Sequence, residues 1–178
     1  MKSLLLLLLF TAACGENSNR HASNERPQTA TNEQTAFDAA KWLTLADATA
    51  ILGEPSHAVD SNWSTDEKVR RFNGGYKADA RDQQSGDTGA IYVVFEQYNS
   101  INSAHSRYVF IHDANQHSGI RDIPGMGDEA YYHTDNTHFR FIMARKKNRI
   151  AVMKINKITS HTSDEAFRRI TGRIVAAM

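Results

Sequence analysis

Apolar residues recur along this chain with two different periods. After Thr44, the positions Leu45, Ala48, Ile51 and Leu52 fall on one side of a helix; Asp47 occupies its first turn, and Gly53 with Pro55 beyond ends it. After Ser100, Ile101, Ala104, Tyr108 and Ile111 recur at spacings of three and four and predict a second helix. A third is predicted behind a capping box of Thr162 with Glu165. It aligns Phe167, Ile170, Ile174 and Ala177 opposite Arg168, Arg169 and Arg173, which read as a solvated face.

Between the helices the period shortens to two. Ile91, Val93 and Phe95 alternate with Tyr92 and Val94, apolar on both sides, as in a central strand covered on both faces. Phe139, Phe141 and Met143 alternate with Arg140, Ile142 and Ala144, and Lys147 and Asn148 turn that strand back into Ile150 to Ile158. Asp135 and Asn136 are expected to turn Ala130 to Thr134 into the Phe139 strand. Val69 to Phe72 and Tyr76 to Ala80 form weaker strand segments on either side of Asn73, Gly74 and Gly75, as two strands or a hairpin. The order of elements predicts an α+β fold with an antiparallel sheet of about five strands, in a single domain from 37 to 178.

Ahead of that domain the composition changes twice. Residues 15–36 contain no aliphatic side chain larger than alanine and are rich in Asn, Gln, Ser, Thr and Glu. Such a segment cannot bury enough apolar surface to offset its ordering entropy, so 14–36 reads as a flexible tether spanning about 25 Å as a coil. Before it, Lys2, an apolar run from Leu4 to Phe10, the small residues Thr11, Ala12 and Ala13, and then Cys14 make up the chain's start. The apolar run is far shorter than the roughly 20 residues of a spanning helix.

This start resembles a bacterial lipoprotein precursor, whose lipobox-type signal peptide (here 1–13) ends at the cysteine that receives lipid. The resemblance implies acylation of Cys14, attachment of the mature protein to a membrane, and a place in the bacterial cell envelope. Gly15 replaces the Asp of an inner-membrane retention signal, which implies outer-membrane sorting with the domain in the periplasm. Each buried acyl methylene contributes about 0.8 kcal/mol, so two or three chains hold the protein permanently. The stretch Ile123 to Tyr131, IPGMGDEAY, with two strands and an amphipathic helix after it, is similar to small exported α+β lipoproteins of uncharacterised function. That likeness implies αβα-type layers and brings no catalytic residue with it.

Charge narrows the function further. Apart from Lys2 there are 20 Lys+Arg against 20 Asp+Glu, which removes the electrostatic case for nucleic acid. Cys14 is the only cysteine, so no disulfide is expected and stability must come from a core. Pro124, Gly125 and Gly127 read as a tight turn. A phosphate loop leads into a helix and carries a lysine, whereas this loop leads into a strand and is followed by Asp128 and Glu129. Those carboxylates, as neighbours on an extended chain, point to opposite faces and do not form an acid/base pair.

Two clusters remain as candidate sites. With a two-residue turn at Asp135 and Asn136, His133 and His138 would face each other across the strand pair, about 5 Å apart at Cβ, and could share a metal. His105 and His112, about 10 Å apart along the second helix, are too distant to do so. Arg145, Lys146, Lys147 and Arg149 gather at the tip of a hairpin, either as a soluble turn that discourages edge pairing or as a contact for an acidic envelope partner. No nucleophile signature occurs. The expectation is a non-enzymatic envelope lipoprotein that binds a protein or small ligand and needs no cofactor. The alternative is a metal-binding protein or metal-assisted hydrolase using His133 and His138.

Overall fold

The structure, a computed structural model, describes residues 41–178. The leader, Cys14, the tether and residues 37–40 lie outside the described residues. Helix α1 (Leu45–Leu52) starts at Thr44, whose hydroxyl accepts from the Asp47 amide while the Asp47 carboxylate accepts from Thr44, and ends at Gly53 with φ 73°. Helix α2 (Ile101–Asn115) is capped by Ser100. Helix α3 (Asp164–Ala177) begins one residue later than the Thr162–Glu165 box predicts, with Ser163 as its cap. The Thr162 hydroxyl is already engaged by the Thr159 amide at 2.9 Å, and the Ser163 amide donates to Ile51 O at 2.8 Å, seating α3 on the end of α1.

The described strands form one antiparallel sheet of eight: β1 (Ser56–Ala58), β2 (Asn62–Thr65), β3 (Val69–Ala78), β4 (Ala90–Tyr98), β5 (Arg121–Asp122), β6 (Glu129–Thr134), β7 (Phe139–Lys146) and β8 (Arg149–Asn156). Their order is β1-β3-β4-β8-β7-β6-β5, and β2 pairs with β3 as well. The fold is therefore α+β with an antiparallel sheet, and the count of about five strands is corrected to eight. The three additional strands, β1, β2 and β5, have only two to four residues and lie at the borders of the sheet. Every residue of β2 is exposed, so no alternation marks it in the sequence.

A second correction concerns Asn73, Gly74 and Gly75, which do not turn the chain. They continue β3 as one ten-residue strand paired with β4 from Val69↔Tyr98 to Lys77↔Ala90. Gly75 allows a close approach: a Cβ there would lie 2.3 Å from Ile91 O. Closeness of the β4 backbone, and not a change of direction, is the reason for glycine at this position.

Helices cover the two faces unequally. On one face α1 and α3 bury Ile51, Leu52, Phe167, Ile170 and Ile174 against Ile91, Phe95, Ile142, Met153 and Ile155. The Arg173 guanidinium ties α3 to Asp47 of α1 at 2.7 Å. On the other face α2 contributes Ala104 and Tyr108 to a smaller cluster with Val69, Tyr98, Tyr131, Met143 and Ile150. Register places Tyr92, Lys154 and Phe141 side by side further along this second face, and Tyr92 is 43% exposed. The expectation that β4 is covered along both faces thus holds for Ile91, Val93 and Phe95 and is corrected at Tyr92.

Gly75→Ala must push β4 away from β3, and we expect it to cost about 2–3 kcal/mol, read as a lower urea midpoint at unchanged slope. Gly172→Ala is the contrasting change. Its Cβ would meet nothing closer than Met126 Cε at 3.7 Å inside α3, so a gain of about 0.5–1 kcal/mol is expected.

Candidate functional site

The hairpin tip does not present four cations to solvent. In β7 the Arg145 side chain is buried, and its guanidinium donates to Glu129, to Asp128 Oδ2 at 2.9 Å and to Lys147 O at 2.8 Å. Asp128 also accepts from the Lys147 amide at 2.7 Å, and its own amide donates to Arg145 O at 2.8 Å. Lys146 donates to Ala176 O in the last turn of α3 and Arg149 to O of its capping residue Met178 at 2.9 Å, where the helix dipole favours positive charge. Lys147 is left exposed, with φ 54° in the turn. Neither an interaction patch nor a merely solvated tip describes this arrangement, since three of the four charges hold the fold together.

The glycine loop explains the geometry around Arg145. Gly125 and Gly127 adopt φ of 80° and 73°, and a Cβ on Gly127 would lie 2.5 Å from Arg145 O. This close passage brings Asp128 and Glu129 to the same guanidinium despite their adjacency in sequence. Burial would raise the Glu129 pKa, but hydrogen bonds from Arg145 and His105 outweigh it and hold the carboxyl below its ordinary value. His105 Nδ1 lies 3.0 Å from Glu129, and His112 Nε2 lies 3.3 Å from Asp122, so each of these helix histidines has its own carboxylate.

His133 and His138 are not brought together. Thr134 pairs with Arg140 and His133 with Phe141, which leaves His138 in a loop longer than the two residues expected. Asp135 is responsible: its carboxylate accepts from the amides of Thr137, His138 and Phe139 and from His138 Nδ1 at 2.7 Å, while Asn136 takes φ 66°. The His133 ring instead meets Phe139 edge-on with centroids 5.0 Å apart. The cross-strand metal pair has lost its geometric basis.

What the half-covered face offers is an open basin of about 450 Å³ lined by Lys77, Arg81, Tyr92, Asn156 and Lys157, with Gly86 to Thr88 as one wall. Lys77 lies across from Ala90, whose neighbour on the other side is Asn156. Tyr92 stands between Gly75, which has no side chain, and Lys154. The small side chain of Ala90 therefore recesses the surface, and long cationic side chains ring it. The loop bearing Arg81 and Asp87 is fixed by Asp82, a buried carboxylate accepting from the Ser85 amide at 2.9 Å, the Ser160 amide at 3.1 Å and the Ser160 hydroxyl at 2.9 Å. These bonds, those from Ser85 first, keep the Asp82 carboxyl far below the usual carboxylate range. Arg81 Nε closes the loop onto Gly86 O, and Lys157 meets Asp87 at 2.8 Å.

None of the basin residues stands out in the sequence. They come from segments around 77–92 and 154–157, and only the β3-β4-β8 register joins them. Tyr92 is hidden within the apolar run Ile91 to Phe95, where nothing distinguishes an open position from a covered one.

Arg145→Leu leaves two carboxylates without their guanidinium, and we expect a loss of about 3 kcal/mol in urea unfolding, at the low end for a buried pair because Asp128 is nearly half exposed. For Asp82 the sign follows from its depressed folded pKa. Its contribution is complete above the unfolded Asp value of about 3.9 and is lost as pH falls below it. Asp82→Asn should therefore lower Tm at pH 7 and flatten the fall of Tm under acid, and a wild-type acid slope in the variant would refute this role.

Comparison with known proteins gives no match: no family model, no curated protein and no solved structure aligns significantly with this chain.

Proposed function

We propose that this chain is a bacterial envelope lipoprotein, anchored through lipid on Cys14, whose α+β domain is a non-enzymatic module that binds a small ligand in the Tyr92 basin. The basin is the observation that carries the reading. It is concave, its floor is a rigid antiparallel ladder, and its rim has more cations than carboxylates in a chain that is otherwise balanced. The same side chains suit binding better than turnover: lysine, arginine, tyrosine and asparagine hold a ligand, and no nucleophile is paired with a base among the residues lining the basin. The tether would keep such a module clear of lipid head groups while confining it to the membrane surface. Among the described residues no helix is long and apolar enough to span a bilayer, so attachment in this proposal rests on Cys14.

The metal-dependent alternative is not carried forward, since His133 and His138 occupy a strand and a separate loop. Nor is the docking of an acidic partner on Arg145, Lys146, Lys147 and Arg149, since the charges of Arg145, Lys146 and Arg149 are used internally.

Two measurements test the proposal. Cells fed a fatty-acid analogue should label the wild type and not Cys14→Ser, and an unlabelled wild type would remove the anchor. Purified protein mixed with the small-molecule fraction of an envelope extract should gain amide protection in residues 81–92. Unchanged exchange across that segment would remove the binding role.

A further inference from the structure

We propose that the basin takes a phosphate-bearing ligand, the phosphate lying among Lys77, Arg81 and Lys157 and the ring or apolar body of the ligand over Tyr92. This inference deepens the ligand-binding reading and rests on it.

Charge comes first. Lys77, Arg81 and Lys157 line the basin, Lys154 stands beside Tyr92 on the same face, and Asp87 is the only carboxylate among the lining residues. Asp87 engages Lys157 at 2.8 Å, while Lys77 has no ion pair among the described residues, and Arg81 spends only its Nε on Gly86 O. Two cations with unspent donors and a third shared with Asp87 exceed what one carboxylate ligand would neutralise. A phosphate, carrying up to two charges and three or more acceptor oxygens, matches the set. A divalent cation would be repelled, and a long polyanion would find no continuing track. The neighbouring Arg71 is already held by Glu96 at 2.7 Å and, beyond it, Arg145 by Asp128 and Glu129.

Shape supplies the second half. Tyr92, the third residue of the central strand β4, is 43% exposed, and its ring makes no aromatic contact among the described residues. Gly75 on one side leaves its flank open, and the backbone clearance there forbids any larger residue. An unpartnered aromatic ring beside a cationic recess recognises an anion joined to a planar or apolar body. Thr88 and Asn156 add uncharged donors on the rim. The Asp82 clamp holds the loop of Arg81 and Thr88 before any ligand arrives, which reduces the ordering cost of binding.

The test is isothermal titration of the full-length mature protein with phenyl phosphate, inorganic phosphate, benzoate and neutral phenyl glucoside, together with flotation of the unacylated Cys14→Ser protein on phosphatidylcholine vesicles with and without phosphatidylglycerol. Phenyl phosphate should bind saturably, at least about tenfold tighter than benzoate, and weaken with added salt. Lys77→Gln and Arg81→Gln should each weaken it by about tenfold, whereas Tyr92→Ala should weaken phenyl phosphate and leave inorganic phosphate unchanged. All three positions are exposed, and unaltered circular dichroism will confirm that the variants fold. Vesicle binding lost with Arg81→Gln would identify a lipid headgroup as the source of the phosphate; phenyl phosphate binding without vesicle binding would identify a soluble phosphate ester. Either outcome supports the proposal. Tyr92-dependent binding of benzoate or the glucoside without phosphate binding would overturn it and leave the ligand-binding reading standing. If no compound binds and the extract gives no protection, both readings fall.

Discussion

Two helices pack on one face of the sheet, a single helix packs on the other, and that helix reaches only the half where Val69, Tyr98, Tyr131 and Ile150 are buried. Burial on the doubly covered face can be apolar throughout, and Ile91, Phe95, Ile142, Met153 and Ile155 are almost fully enclosed there. The remainder of the second face must meet water while still forming a regular ladder. Long side chains resolve this by laying their methylenes on the sheet and keeping their charge in solvent, as Lys154 does over the Phe139 ring at 5.4 Å. The basin around Tyr92 follows from this incomplete coverage.

Charge is distributed in the same two-sided manner. Of the basic residues close together in sequence at the hairpin tip, Arg145, Lys146 and Arg149 are engaged by Asp128, Glu129 and the carbonyls ending α3. Lys77 and Arg81 are joined by Lys157, from a distant part of the sequence, on one rim with only Asp87 against them. A chain with almost no net charge thus has a local excess of positive charge, and that excess is at a recess and not at a protruding tip. The buried Arg145 network also anchors the glycine loop at the far end of the half-covered face, so that end is rigid while the Tyr92 end is open.

Several features were legible in the chain before any coordinates. The start and stop of α1, the Ser100 cap of α2, and the β7-β8 hairpin at Lys147 and Asn148 are local, decided by a few neighbouring residues. The misreadings are equally specific. Gly74 and Gly75 carry the composition of a turn, but Gly75 serves a close approach to β4 and Gly74 makes room for the Phe72 ring. Asp135 extends a loop by accepting three amides, which shifts the register and parts His133 from His138. β2 has no buried position and hence no pattern. As for the candidate site, none of it was legible, since each of its residues is ordinary in its own segment.

What the sequence by itself determined is whatever depends on spacing along the chain: the helices, four of the five long strands, the α+β class, and the charge balance that argues against nucleic acid. The tertiary structure alone decided which face of β4 remains open, which cations are spent on internal carboxylates and carbonyls, and which converge. The physical reason is that periodicity reports whether a side chain faces a neighbouring layer, while only the sheet order and the reach of α2 determine whether a layer is present to receive it.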